Sequence, residues 1–315
     1  MLAVVTGGAG FIGSHLVDAL LEEGHGVRVL DNFSTGHRAN LAHVIDDIEL
    51  VEGDLRSYER VAYAVRGAEV VFHEGALPSV PRSVQDPITS SEVNIGGTLN
   101  VLLAARDAGV RRVVFASSSS TYGDLPGLPR VETMPVAPLA PYAVSKLAAE
   151  HYCHVANRVY GLETVSLRYF NVFGPRQDPA SHYSAVIPRF IAAIRDGGRP
   201  TVFGAGTQSR DFTYIANIVQ ANLLAATSPH ATGVPINVAT GETHSLLELV
   251  ALLGRLMGRP VEPELAPPRV GDIEASWADI GRARELLGYE PSVGFEEGIE
   301  RTIASYERGE LRVAA

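Results

Sequence analysis

Tyr142 and Lys146 stand four residues apart in Pro141-Tyr142-Ala143-Val144-Ser145-Lys146, at the head of a stretch rich in Ala, Leu and Glu. If 141–157 is helical, both side chains project from one face. An ammonium beside a phenol stabilises the phenolate and lowers a pKa that starts at about 10, so Tyr142 can remove a hydroxyl proton near neutral pH. The pair alone is a common coincidence, an aromatic packed beside an exposed lysine; its neighbours in the sequence give it meaning. Residues 115–124, Phe-Ala-Ser-Ser-Ser-Ser-Thr-Tyr-Gly-Asp, follow an apolar run. Their hydroxyls should emerge at the carboxyl end of a strand, where open α/β sheets bind ligands.

A second constellation opens the chain. Thr6-Gly7-Gly8-Ala9-Gly10-Phe11-Ile12-Gly13 lies between a β-branched run and an amphipathic helix pattern. Glycines there let the backbone turn sharply and approach a pyrophosphate at the helix N-terminus, with a phosphate expected over Gly10, Phe11 and Ile12. A glycine triplet alone is a weak signal, but Asp31, with Asn32 beside it, ends the next apolar run about 20 residues on, where a ribose-binding acid belongs. A carboxylate can accept from both ribose hydroxyls, whereas a 2′-phosphate would meet a like charge, so NAD is expected over NADP.

These groups need a scaffold that brings strand ends together. The first half alternates apolar runs at 2–6, 27–31, 48–52, 70–73 and 113–116 with helical patterns such as 11–23, the signature of βαβ units and a parallel sheet. After about residue 170 the pattern loosens, with Pro- and Gly-containing stretches between helices near 245–257 and 295–306. A dinucleotide-binding domain over 1–170 and a smaller, mainly substrate-binding lobe over 171–315 are expected, with the chain free to cross back.

Composition excludes several functions. At 315 residues, 46% hydrophobic and 20% charged, the chain can bury a substantial core. A formal net charge of −10 opposes broad contact with nucleic acid or anionic membrane, so any anionic ligand must be held by local arginines. The single Cys153 rules out an internal disulfide and reads as an apolar filler. No signal peptide or membrane span is evident, and a cytoplasmic protein is expected. No metal is expected either. His73-Glu74 lacks the second histidine of a zinc helix because position 77 is Leu, and His151 and His154 have no further ligands beside them.

The glycine spacing, together with Gly53-Asp54-Leu55, the Tyr142-to-Lys146 segment and Arg168-Tyr169-Phe170-Asn171-Val172-Phe173-Gly174-Pro175, resembles the extended short-chain dehydrogenases, specifically the NAD-dependent sugar-nucleotide epimerases. The likeness covers nearly the whole chain. It implies a Rossmann-like doubly wound sheet with NAD as cofactor, Asp54 and Leu55 flanking the adenine, and Asn94 near the bound cofactor. The family pattern selects Ser118 as the catalytic serine, with Ser119 and Ser120 as close alternatives. It assigns the UDP-sugar's anchoring to Asn171, Arg210 and Arg269, with a weaker claim for Arg176, Gln177 and Asp178. Ser79, in Ser79-Val80-Pro81-Arg82-Ser83, and Ser276 resemble substrate-side residues of members that accept N-acetylated sugars. One departure stands out: after His73 the family more often has small apolar residues, and here the chain has Glu74.

Related dehydratases and decarboxylating members carry an acid at the strand end where 117–121 are only Ser and Thr. The resemblance therefore implies reversible inversion at C4 of a UDP-hexose through a 4-keto sugar. UDP-glucuronate 4-epimerase is an alternative, a sugar-nucleotide dehydratase a more distant one, and a non-catalytic dinucleotide sensor or scaffold a reading from another class. Helices near 95–108 and 143–159 resemble the pair that forms a four-helix homodimer interface in the family.

Overall fold

The computed structural model describes residues 1–178, 186–268 and 273–308. The first half builds strands β1 (Leu2–Thr6), β2 (Gly26–Asp31), β3 (Ile48–Glu52), β4 (Val70–His73), β5 (Arg112–Ser118) and β6 (Glu163–Tyr169). Between them run helices α1 (Phe11–Glu22), α2 (Tyr58–Val65), α3 (Val80–Gln85), α4 (Pro87–Ser91), α5 (Gly97–Asp107) and α6 (Pro141–Tyr160). A one-turn π-helix over Glu92–Gly96 leads into α5.

The second half supplies β7 (Val172–Phe173), α7 (Val186–Arg195), β8 (Thr201–Phe203), β9 (Ser209–Arg210), β10 (Thr213–Tyr214), α8 (Ile215–Thr227) and β11 (Pro235–Val238). It continues with β12 (His244–Ser245), α9 (Leu246–Leu256), β13 (Glu264–Ala266), β14 (Ala275–Ser276), α10 (Gly281–Leu287) and α11 (Phe295–Glu307).

Seven strands form one sheet in the order β11-β6-β5-β4-β1-β2-β3, with every neighbouring pair parallel. The seventh strand comes from residues 235–238, so the first 170 residues alone do not complete the sheet. Both faces are covered, which is why the central strands read as nearly continuous apolar runs. Successive residues still choose opposite sides: Ala3 and Val5 join the core under α1 and α8, Val4 the core under α2, α5 and α6. Val114 and Phe115 divide in the same way. Cys153 of α6 is fully buried in the second core, a packing residue as its type suggests. The remaining strands form three short sheets, β7–β10, β12–β9–β14 and β8–β13. Among the described residues, no helix is long and apolar enough to cross a membrane.

Candidate active site

The turn from β1 into α1 is dictated by backbone conformation. Gly7 has φ +68°, and a Cβ there would lie 2.7 Å from the Gly75 main chain. At Gly13 a Cβ would stand 2.2 Å from the Gly7 carbonyl oxygen, so only glycine lets α1 pack this close to the turn. Gly10 precedes the helix without a side-chain cap, and the N–H groups of Phe11, Ile12 and Gly13 have no intrahelical acceptor. A cradle closed to any Cβ and facing unshared helix donors fits a pyrophosphate.

At the end of β2, buried Asp31 accepts from the N–H of Ala9 at 2.9 Å and of Phe33 at 2.7 Å. Burial raises its pKa, and these backbone bonds oppose the rise. Next to it, Asn32 donates to Asp54 at 3.0 Å. The Arg56 guanidinium bonded to Asp54 brings that carboxyl down to about 2. Leu55 is buried beneath Gly75 and Gly97. Asn94, in the π-turn, accepts from Leu77 N–H (2.8 Å) and donates to Ser145 Oγ (3.0 Å). It thus pins the loop after β4 to α6.

The acid–base residues meet where β5 ends. Pro141 starts α6, and the Tyr142 N–H donates to Ser83 Oγ at 3.0 Å, which fixes the helix entry. Ser118 Oγ is hydrogen-bonded to Ser120 Oγ at 2.9 Å, and its hydroxyl is close enough to the Tyr142 phenol to favour the ionised form. Ser117 is turned away to donate to Glu150 (2.7 Å), while Ser119 and Ser120 stand half-buried in a single 3₁₀ turn. One turn after Tyr142, Lys146 donates to the Ala116 carbonyl at 2.8 Å and lies 5.0 Å over the Phe115 ring.

The electrostatics differ from the sequence expectation. Burial pushes the Tyr142 phenol up to about 12, with the nearby Ser118 hydroxyl opposing the rise and Glu74 adding to it. Lys146 does not draw the phenol down here, because its ammonium is turned to the Ala116 carbonyl. Burial lowers Lys146 itself to about 8, with Glu74 opposing.

Glu74 was not among the candidates. It is half-buried at the end of β4 and accepts from the Tyr169 hydroxyl at 2.9 Å. That hydroxyl in turn accepts from Asn222 of α8 at 2.8 Å. The signal available was an ionisable residue one step past a buried strand, at the edge where ligands bind. His73, just before it, is buried between Thr6 (2.7 Å) and Thr98 (3.0 Å), and burial lowers it to about 3, which keeps the ring neutral. Among the described residues, no group of three or more His, Cys, Asp or Glu is arranged to hold a metal. His154 bonds the Gly233 carbonyl at 2.8 Å, and His151 is exposed.

In the second half of the chain, Asn171 takes φ +33° and donates to the Asp211 carbonyl at 3.0 Å. Asn171 and Arg210 line one cavity of ≈ 270 Å³ together with Phe203, Gln208 and Phe212. Arg210 donates to the Ser209 carbonyl at 2.8 Å, and Ser276 of β14 is in register with it. Between them Asp211, fully buried, accepts from Thr240 N–H (2.9 Å), Thr240 Oγ1 (2.7 Å) and Gly241 N–H (2.9 Å). It fixes β9 against the loop after β11, a positioning role that its sequence neighbours did not announce.

Ser79 caps α3, accepting from the Arg82 N–H at 3.1 Å. Arg176 pairs with Asp18 of α1 at 2.7 Å, and Asp178 lies 3.5 Å from His37, which turns this loop toward α1. Gln177 donates to the Val172 carbonyl at 3.1 Å. Arg269 lies outside the described residues.

Residues 3–239 match the sequence profile of the NAD dependent epimerase/dehydratase family. The chain is 42% identical to the UDP-glucose 4-epimerase of Mycolicibacterium smegmatis over 96% of its own length and 97% of that protein's. Among solved structures it is similar to the UDP-N-acetylglucosamine 4-epimerase of Methanobrevibacter ruminantium in complex with UDP-N-acetylmuramic acid. That match has a TM-score of 0.93 and 38% identity, covering 97% of this chain and 98% of the other. It is also similar to the Thermus thermophilus UDP-glucose 4-epimerase in complex with NAD, with a TM-score of 0.88 and 41% identity over 98% and 99% of the two chains.

Proposed function

The chain belongs to the NAD dependent epimerase/dehydratase family, and from that premise we propose that it inverts C4 of a UDP-hexose, with NAD in the cradle of Gly7, Gly10 and Gly13. One observation carries the reading. The Ser118 hydroxyl at the end of β5 and the Tyr142 phenol, with Lys146 one turn on, stand together at the carboxyl edge beside a dinucleotide cradle, and no acid occupies 117–121.

The cradle of Gly7, Gly10 and Gly13 with Asp31 would hold NAD, which would supply reversible hydride acceptance at C4, so no second redox partner would be needed. Tyr142 removes the 4-hydroxyl proton and later gives it back, and Ser118 bridges the substrate hydroxyl to the phenol. A phenol at about 12 needs positive charge nearby to ionise, which the nicotinamide ring of bound NAD would supply. Asn171, Arg210 and Arg269 hold the nucleotide so that the sugar can turn, arginine matching diphosphate oxygens with its planar fork. Ser276 leaves room at C2, so UDP-N-acetylglucosamine and its galacto epimer are substrates beside UDP-glucose and UDP-galactose.

Residues 1–170, completed by 235–238, form the NAD domain, and 171–315 mainly the substrate lobe. The enzyme is cytoplasmic and homodimeric, pairing through the exposed stripe Val144, Tyr152, Val155 and Val159 of α6. Incubation with a panel of UDP-sugars, followed by NMR of the products, tests the reaction. C4 epimers of the gluco and galacto pairs are expected. Conversion of none of them by protein that retains NAD, or a product that has lost water, overturns it.

A further inference from the structure

Ser117 of β5, Arg168 of β6 and Asn237 of β11 are partners in register across three neighbouring strands, so their side chains leave the same face of the sheet. Glu150 of α6, one turn past Lys146, receives two of them. Arg168 donates to it through both Nε (3.0 Å) and Nη2 (2.5 Å), and the Ser117 hydroxyl donates to the same carboxylate at 2.7 Å. Arg168 is 3% exposed and Glu150 6%. Two charges taken out of water are costly, and an apolar pair of similar volume often holds a fold as well or better. An apolar pair could not, however, fix a hydroxyl on one side and an aromatic ring on the other.

The ring is that of Tyr122. Its centroid lies 4.7 Å from the Arg168 guanidinium, and its hydroxyl donates to Asn237 Oδ1 at 2.7 Å. Tyr122 closes the 3₁₀ turn Ser119–Tyr122, which starts immediately after Ser118. The buried pair therefore grips the chain on both sides of Ser118, at Ser117 through Glu150 and at Tyr122 through Arg168. Between the grips, bonds within the turn shape it: Ser118 Oγ accepts from the Ser120 N–H at 3.2 Å, and the Ser118 carbonyl accepts from Thr121 Oγ1 at 2.9 Å. These local bonds give the turn its form, and the ion pair ties that form to α6, the helix that carries Tyr142.

We propose that the buried Glu150–Arg168 pair is a positioning device for the reaction: it holds Ser118 where one hydroxyl can meet both the substrate and Tyr142, with Ser117 and Tyr122 as its two points of attachment. This rests on Ser118 being the residue that bridges substrate and phenol. Glu150→Ala would strand the Arg168 charge in the core and is expected to unfold the chain, so milder changes are made in the full-length enzyme with NAD bound. Ser117→Ala deletes one attachment and leaves the ion pair whole. For the interconversion of UDP-glucose and UDP-galactose, kcat should fall at least about tenfold with KM within about twofold, since a misplacement of about 1 Å can cost about 10²-fold. In a Ser118→Ala background the same change should cost less than about threefold, because the hydroxyl it positions is gone. Equal losses in the two backgrounds would make Ser117 merely structural and overturn the proposal. Glu150→Leu combined with Arg168→Met separates position from stability: the fold and bound NAD should be kept, while kcat falls at least as far as for Ser117→Ala. A folded double variant within about threefold of the parent kcat would also overturn it. Should Ser118→Ala alone leave kcat unchanged, the bridging role of Ser118 fails and the proposal with it, a result told apart because that variant alters neither Glu150 nor Arg168.

Discussion

Replacing Tyr142 by Phe removes one oxygen and little else, and the structure states what that oxygen touches. The main-chain ties of the residue survive: its N–H to Ser83 Oγ at 3.0 Å and its carbonyl, which accepts from Ser145 Oγ at 2.7 Å. Ser118 keeps Ser120 as its partner at 2.9 Å, so its hydroxyl is not orphaned. A single hydrogen bond at a half-buried position contributes about 1 kcal/mol or less to stability. The melting temperature should fall by no more than a few degrees, and NAD should remain bound. Turnover should nearly vanish, because a positioned acid–base group contributes about 10²–10⁴-fold, or about 3–5 kcal/mol of barrier. The assay is kcat/KM for the interconversion of UDP-glucose and UDP-galactose, with the cofactor content of parent and variant measured by mass spectrometry. Activity within about tenfold of the parent, in folded protein carrying cofactor, would refute the assignment, since it would leave less than the least that such a group contributes.

Three further outcomes follow from other parts of the site. Because Asp31 places a buried carboxylate at the end of β2, cofactor released from purified protein should be NAD, and a majority of NADP would overturn that reading. Ser276→Tyr should suppress kcat/KM for UDP-N-acetylglucosamine at least about tenfold more than for UDP-glucose, the scale on which a closed pocket discriminates; parallel losses would show that position 276 does not select at C2. The apolar stripe of α6, with Val159 64% exposed, should be covered in a homodimer, so light scattering should give twice the chain mass at micromolar protein, and a monomer would contradict the pairing.

Features set by local conformation were legible in the sequence. Gly7 and Gly13 announce themselves because no other residue fits their backbone. Tyr142 and Lys146 share a face because helical spacing alone decides it. Asp31 ends β2, as its apolar run implied. What could not be read depends on register between distant strands. Tyr169 meets Glu74 because β4, β5 and β6 are neighbours with staggered ends, 95 residues apart in sequence. The strand 235–238 is too short and too remote to be assigned to this sheet by pattern. Arg176 lies in the family-like stretch yet pairs with Asp18, because an ion pair is chosen by proximity, which spacing does not fix. The same limit applies to Lys146: helical periodicity places it one turn from Tyr142, but not toward the Ala116 carbonyl.

The three side chains at the centre of the site share one cause for their unusual acidities. Burial lifts Tyr142 to about 12 and Glu74 to about 7 and lowers Lys146 to about 8, each a penalty on the charged form. In such a site each group is held by a neutral partner, Glu74 by the Tyr169 hydroxyl at 2.9 Å and Lys146 by the Ala116 carbonyl at 2.8 Å. That anchoring holds the Glu74 carboxyl on Tyr169 rather than on the hydroxyls of 117–121, where a leaving group would need its proton. Asp31 and Asp211 are no better placed for that task, since each is fixed by backbone donors, Ala9 and Phe33 for one, Thr240 and Gly241 for the other. What remains for the hydroxyl cluster is proton exchange through Tyr142 alone, and a base that must return the proton it took suits a reaction that ends with the same atoms it began with.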